Sequence, residues 1–108
     1  MDPKDRKFLE KELNAFVNVG IMRTWKTGEM HHSFSIPASD VKAATGRERL
    51  HQAVINEYTS FMHQRFGVAA SYDQGTAAFD VQVDLNDCKL SGDQSRDLLT
   101  AINVFHSS

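Results

Sequence analysis

The chain is predicted to fold as an α+β domain, a four-stranded antiparallel sheet with helices on one face in the order α-β-β-α-β-β-α. Three observations carry that expectation. Apolar residues recur at helical spacing in three separate stretches. Segments that alternate apolar and polar residues lie between those stretches, and short glycine-containing turns join the segments in pairs.

Asp2 followed by Pro3 is an N-cap and first-turn pair, and Phe8, Leu9, Leu13, Phe16 and Val17 then share one helical face, so a helix is expected over 3–17 with Gly20 as its stop. Residues 21–25 and 30–36 read as two strands of a hairpin around Lys26-Thr27-Gly28-Glu29. In the second of these strands Met30, His32, Phe34 and Ile36 fall on one side and His31, Ser33 and Ser35 on the other. A short helix over 39–44 follows. Thr45-Gly46-Arg47-Glu48 has the form of a capping box, which places the start of the main helix near 46, with Leu50, Val54, Tyr58, Phe61 and Met62 as its apolar stripe and Phe66-Gly67 at its end.

A second hairpin is expected from Val68–Tyr72 and Ala78–Leu85, joined through Asp73-Gln74-Gly75-Thr76, with Phe79, Val81, Val83 and Leu85 inward and Asp80, Gln82 and Asp84 outward. Ser91 to Gln94 repeats the capping-box form ahead of Leu98, Leu99, Ile102 and Phe105, a last amphipathic helix. Two αββ units in tandem would give this order, although no residue-level repeat supports a duplication.

The 108 residues suit one domain, 1–108, and 41% hydrophobic with 24% charged content suits a packed core. No stretch is apolar enough to span a membrane and no secretory leader is recognisable. The single cysteine, Cys88, has no partner for an internal disulfide, which fits a reducing, cytoplasmic setting. Formal charge is −2, but residues 1–54 hold nine Lys/Arg against seven Asp/Glu and residues 55–108 hold three against seven, so the second half is the acidic one.

The chemistry-bearing residues do not assemble into a familiar constellation. Five histidines, at 31, 32, 51, 63 and 106, lack the tight spacings of zinc ligands, and His31 and His32 point to opposite faces of one strand. Cys88 sits between Asp87, which raises a thiol pKa, and Lys89, which lowers it, so nothing clearly activates it and a small packed side chain is the plainer role. No phosphate-cradling glycine loop or nucleophile elbow occurs. No cofactor, metal site or catalytic residue is therefore expected.

Two surfaces remain. Asp80 and Asp84, about 13 Å apart by strand rise, are too distant to share a proton, yet with Gln82, Asp73 and Asp87 they make an acidic stripe on the second hairpin. Its plainer role is a solvated face protecting a sheet edge; its functional role is a dock for a basic partner. Arg23 and Trp25, if they lie on an open sheet face, would anchor another protein. Lys42, Arg47, Arg49 and His51 form the densest basic patch, with Arg47 and Arg49 at the unfavourable end of the expected main helix, and Lys42, Arg47 and Arg49 are the candidate contacts for nucleic acid.

The first functional expectation is thus a non-enzymatic protein-binding module, an inhibitor or adaptor acting stoichiometrically. Small proteins of phages and mobile elements that counter host defence, anti-CRISPRs among them, are one natural setting. A small nucleic-acid-binding or regulatory protein using Arg47 and Arg49 is the alternative. A homodimer is compatible with an exposed face or edge, with Met22, Trp25 and Tyr72 as candidate seam residues.

Overall fold

The computed structural model describes residues 1–107. It is an α+β fold of four helices and three strands: α1 Pro3–Thr27, β1 His31–Pro37, α2 Ala38–Thr45, α3 Gln52–His63, β2 Val68–Asp73, β3 Ala78–Asp84 and α4 Gly92–Ser107. The sheet is antiparallel in the order β1-β3-β2, so the last strand in sequence is the central one.

The fourth expected strand does not exist. Residues 21–25 belong to α1, which runs straight through Gly20 and ends at Gly28, whose left-handed φ of 71° lets its N–H reach the carbonyl of Thr24 at 2.9 Å. The burial pattern shows why. Leu9, Leu13, Phe16, Gly20, Ile21 and Thr24 are buried at intervals of three and four, the period of a helix, whereas a strand would have buried Ile21, Arg23 and Trp25 together. Gly20 is an approach point, not a stop: a Cβ there would lie 3.2 Å from the His32 ring, so glycine lets α1 press against β1. At 1.5 Å per residue α1 is about 37 Å long and forms the spine of the molecule.

The boundary near residue 46 also differs from expectation. The short helix is present as α2, but the main helix starts at Gln52. Thr45 turns its hydroxyl back to the Val41 carbonyl at 2.7 Å and so cannot cap a following helix, while the N–H of Gly46 closes α2 on Lys42. Arg47 and Arg49 therefore sit in the connecting segment 46–51, not at a helix N-terminus.

The second hairpin is as expected, with Phe79, Val81, Val83 and Leu85 buried. So is the second capping box, in which the Gln94 N–H donates to Ser91 Oγ at 3.1 Å and the Ser91 N–H to Gln94 Oε1 at 3.0 Å. One sheet face, carrying Ile36, Ala70, Phe79, Val81 and Val83, packs on Leu9, Leu13, Phe16 and Ile21 of α1, Val41 of α2, and Ile55, Tyr58 and Met62 of α3. Helix α4 packs along α1 rather than on the sheet. No helix is long and apolar enough to cross a membrane among the described residues.

Candidate functional site: an open acidic sheet face

No element among the described residues covers the other face of the sheet, where His31, Ser33, Ser35, Ala69, Ser71, Asp73 and Asp80 are exposed. Register sets its rows: Ser33, Gln82 and Ala69 in one, Ser35, Asp80 and Ser71 in the next, with His31 beside Asp84 at one end and Pro37, Ala78 and Asp73 at the other. The three strands contain no Lys or Arg, and all three of their aspartates, Asp73, Asp80 and Asp84, point to this face. Its flanks are short side chains, so the carboxylates of the central strand stand above their neighbours.

The polar groups here differ in how far the fold has already used them. Asp73 Oδ1 accepts the Gly75 N–H at 2.8 Å and Asp84 Oδ1 accepts the Asn86 N–H at 3.0 Å, each closing a local turn. Gln82 Oε1 accepts from Ser33 Oγ at 2.7 Å and from His31 Nε2 at 2.9 Å, which leaves its amide nitrogen to donate outward. Asp80 is exposed and makes no hydrogen bond or ion pair inside the described chain. It is the one carboxylate at the centre of the face with its full acceptor capacity unspent.

Asp80 and Asp84 do not guard an edge, because β3 is flanked on both sides. The edges are covered by other residues. On β1 the Arg23 guanidinium donates to the outward-facing Ser33 carbonyl at 3.0 Å and lies 4.4 Å over the Phe34 ring, which in turn stacks on Phe16. On β2 the His63 Nε2 donates to the Ala70 carbonyl at 2.7 Å. Each edge strand thus has one of its unpaired carbonyls occupied by a long or ring side chain.

Of the remaining expected site residues, Arg23 and Trp25 lie on α1 and not on the open face, and Arg23 is committed to β1. Trp25 and Met22 are exposed on α1, while Tyr72 is half-buried on β2 against Phe79. Arg47 donates through Nη2 to Asp5 Oδ2 at 2.6 Å and through Nε to Oδ1 at 3.2 Å. Lys42 is half-buried on α2 and Arg49 is exposed in the segment 46–51.

The buried polar side chains of the described residues are all hydrogen-bonded within the fold. Asp5, 3% exposed, also accepts the Tyr58 hydroxyl at 2.5 Å; burial alone would raise its pKa, but the hydrogen bonds from Arg47 and Tyr58 and the charge of Arg47 outweigh that and hold it below the usual carboxylate range. Full burial, with the hydrogen bond to Asp5 and the Asp5 charge, pushes the Tyr58 phenol up against the opposing effect of Arg47. His32, 5% exposed, donates from Nε2 to Thr24 Oγ1 at 3.3 Å, since the single hydroxyl proton of Thr24 is taken by the Glu29 carbonyl at 2.8 Å. Burial pushes the His32 pKa down. Cys88 is half-buried beside the core, and burial with the charges of Asp84 and Asp87 raises its thiol pKa. Among the described residues no three His, Cys, Asp or Glu side chains converge as metal ligands do.

Sequence reasoning missed Asp5, although its signal was present: it lies four residues before Leu9 on the buried stripe of α1. It also missed a cleft of about 330 Å³ between α1, the turn after α3 and the β3–α4 connection, with Leu13, Val17, Val68 and Cys88 inside and Glu10, Arg65 and Phe66 at its rim. No sequence signal joins those segments. No protein-family model, curated protein or solved structure matches this chain.

Proposed function

We propose that the chain acts without catalysis, as a stoichiometric inhibitor or adaptor that applies its open acidic sheet face to a basic surface of another protein. The observation that carries this is the position of Asp80 and Asp84 on the central strand. There they serve no edge-guarding role, and no Lys or Arg on any strand neutralises them. A carboxylate row surrounded by serine and alanine offers flat access to lysine and arginine side chains, with the free amide of Gln82 between them to fix register. The expected partner contacts are Asp80, Gln82 and Asp84.

A surface that normally receives nucleic-acid phosphates is the basic partner such a face fits. That chemistry agrees with a setting in which a phage or mobile element blocks a host defence enzyme, as anti-CRISPR proteins do. The alternative, nucleic-acid binding through Lys42, Arg47 and Arg49, is weakened because Arg47 spends two guanidinium nitrogens on Asp5.

The test is reversal of charge. Asp80→Lys with Asp84→Lys changes exposed or half-exposed side chains and should leave the fold intact by circular dichroism. The folded double variant should fail to capture the partner that the wild-type chain isolates, and undiminished capture would refute the acidic-face assignment.

A further inference from the structure

The two edges of the sheet are closed to different degrees. The Leu85 N–H donates to the Met30 carbonyl, one step beyond the pairing of His31 with Asp84, so Met30, His32, Phe34 and Ile36 bond inward to β3. The N–H and C=O of His31, Ser33 and Ser35 therefore point away from the sheet. Of these groups only the Ser33 carbonyl has a partner among the described residues, the Arg23 guanidinium at 3.0 Å, and all three residues are exposed. On β2 the outward groups belong to Val68, Ala70 and Tyr72. There the Val68 N–H donates to the Arg65 carbonyl at 3.2 Å, and His63 Nε2 stands 2.7 Å from the Ala70 oxygen and 3.4 Å from its nitrogen. The end of α3 thus blocks the middle of β2. By contrast β1 keeps open donors and acceptors at every second residue up to Pro37, which has no N–H.

We infer that the β1 edge takes an extended segment of another protein as an added antiparallel strand, with lysine or arginine at alternate positions lying across the open face. Backbone and charge point to the same occupant. An extended chain supplies donors and acceptors at the two-residue repeat that His31, Ser33 and Ser35 present. In such a strand the residues directly opposite Ser33 and Ser35 share their face, which is the acidic one. A residue opposite Ser35 falls in the row of Asp80, two strand spacings or about 10 Å from it. Only the short Ser35 side chain lies between, so a long basic side chain has a clear path to a carboxylate that nothing else in the described chain binds. A second copy pairing through its own β1 does not meet that requirement, because β1 contains no Lys or Arg to set beside Asp80. The inference rests on the acidic-face reading and narrows its partner from a basic surface to a basic strand.

The test titrates a blocked peptide, acetyl-Arg-Val-Arg-Val-Arg-amide, into the isotope-labelled full chain and follows it by NMR. The amide signals of His31, Ser33 and Ser35 should shift, and their N–H groups should exchange more slowly with solvent. Methylating the backbone nitrogens of the peptide's arginines, which face β1, should abolish binding, whereas methylating those of its valines, which face away, should leave it nearly unchanged. Asp80→Asn should weaken binding roughly tenfold. Absence of any shift at millimolar peptide overturns the inference. So does equal binding by the two methylated peptides, which would leave the acidic face standing without a pairing edge. An Asp80→Asn affinity equal to that of the wild type overturns it as well and counts against the acidic-face reading too. Slow exchange at the same three amides that grows with protein concentration and needs no peptide would give the edge to a second copy, and overturns it likewise.

Discussion

Arg47 grips Asp5 across 42 residues of sequence, its Nη2 2.6 Å from Oδ2 and its Nε 3.2 Å from Oδ1. Tyr58 closes the third side by donating to Oδ1, and its ring stacks on Phe79 with centroids 5.5 Å apart. One carboxylate therefore ties the first turn of α1, the segment before α3 and α3 itself to the central strand. The rigidity of the open sheet face depends on what is bolted behind it.

Removing the base from that pair should be costly. Arg47→Met keeps the aliphatic stem but leaves a buried carboxylate without its cation, and a loss of about 3 kcal/mol is expected, the low end for a broken buried pair because nearly a third of Arg47 is open to water. Tyr58→Phe keeps the ring on Phe79 and loses only the bond to a charged acceptor, about 2 kcal/mol. Urea denaturation of the two variants measures both.

Acid should weaken the fold in two stages. Burial lowers the His32 pKa below its ordinary 6.5. Above that pH neither the folded nor the unfolded chain holds the proton; below it the unfolded chain binds it first, so stability falls as pH drops from about 6.5, by at most about 1.4 kcal/mol per unit. Asp5 acts further down. Its folded pKa lies below 3.8, so its contribution is complete above 3.8 and lost as pH falls through the native value. In denaturation curves taken across pH, His32→Gln should flatten the first slope and Asp5→Asn the second.

The sheet edges should become sticky when their caps are removed. Arg23→Ala frees the Ser33 carbonyl and uncovers Phe34, and His63→Ala frees the Ala70 carbonyl. Each should cost about 1 kcal/mol of stability. The larger expected effect of the double variant is faster growth of light scattering on storage, because both edges then offer unpaired backbone groups to other chains. Equal scattering by the double variant and the wild type would show that the edges are protected some other way.

What could be read from the sequence was the part governed by local period. The alternation over 78–85 and the Ser91–Gln94 box state their geometry in consecutive residues, and both appear as expected. Residues 21–25 misled because Ile21, Thr24 and Trp25 favour strands and Gly20 favours a break, whereas the contact that settles the matter, Gly20 against the His32 ring, is tertiary. Thr45-Gly46-Arg47-Glu48 misled for a related reason. Arg47 is drawn out of any helix by Asp5, a residue 42 positions away. For the candidate site, the outward direction of Asp80, Gln82 and Asp84 was legible, but their central place was not, since it comes from the pairing of β3 with β1, a strand some fifty residues earlier, which no local pattern states.

The most direct measurement is the affinity of the isolated partner for the wild-type chain, for Asp80→Lys/Asp84→Lys and for Trp25→Ala, each at low and high salt. Two charge reversals opposite a basic surface should weaken binding by about a hundredfold or more at low salt, with the gap narrowing as salt rises, while Trp25→Ala stays close to wild type. Equal affinities for the wild type and the folded double-lysine variant at low salt would contradict an acidic sheet face as the binding surface.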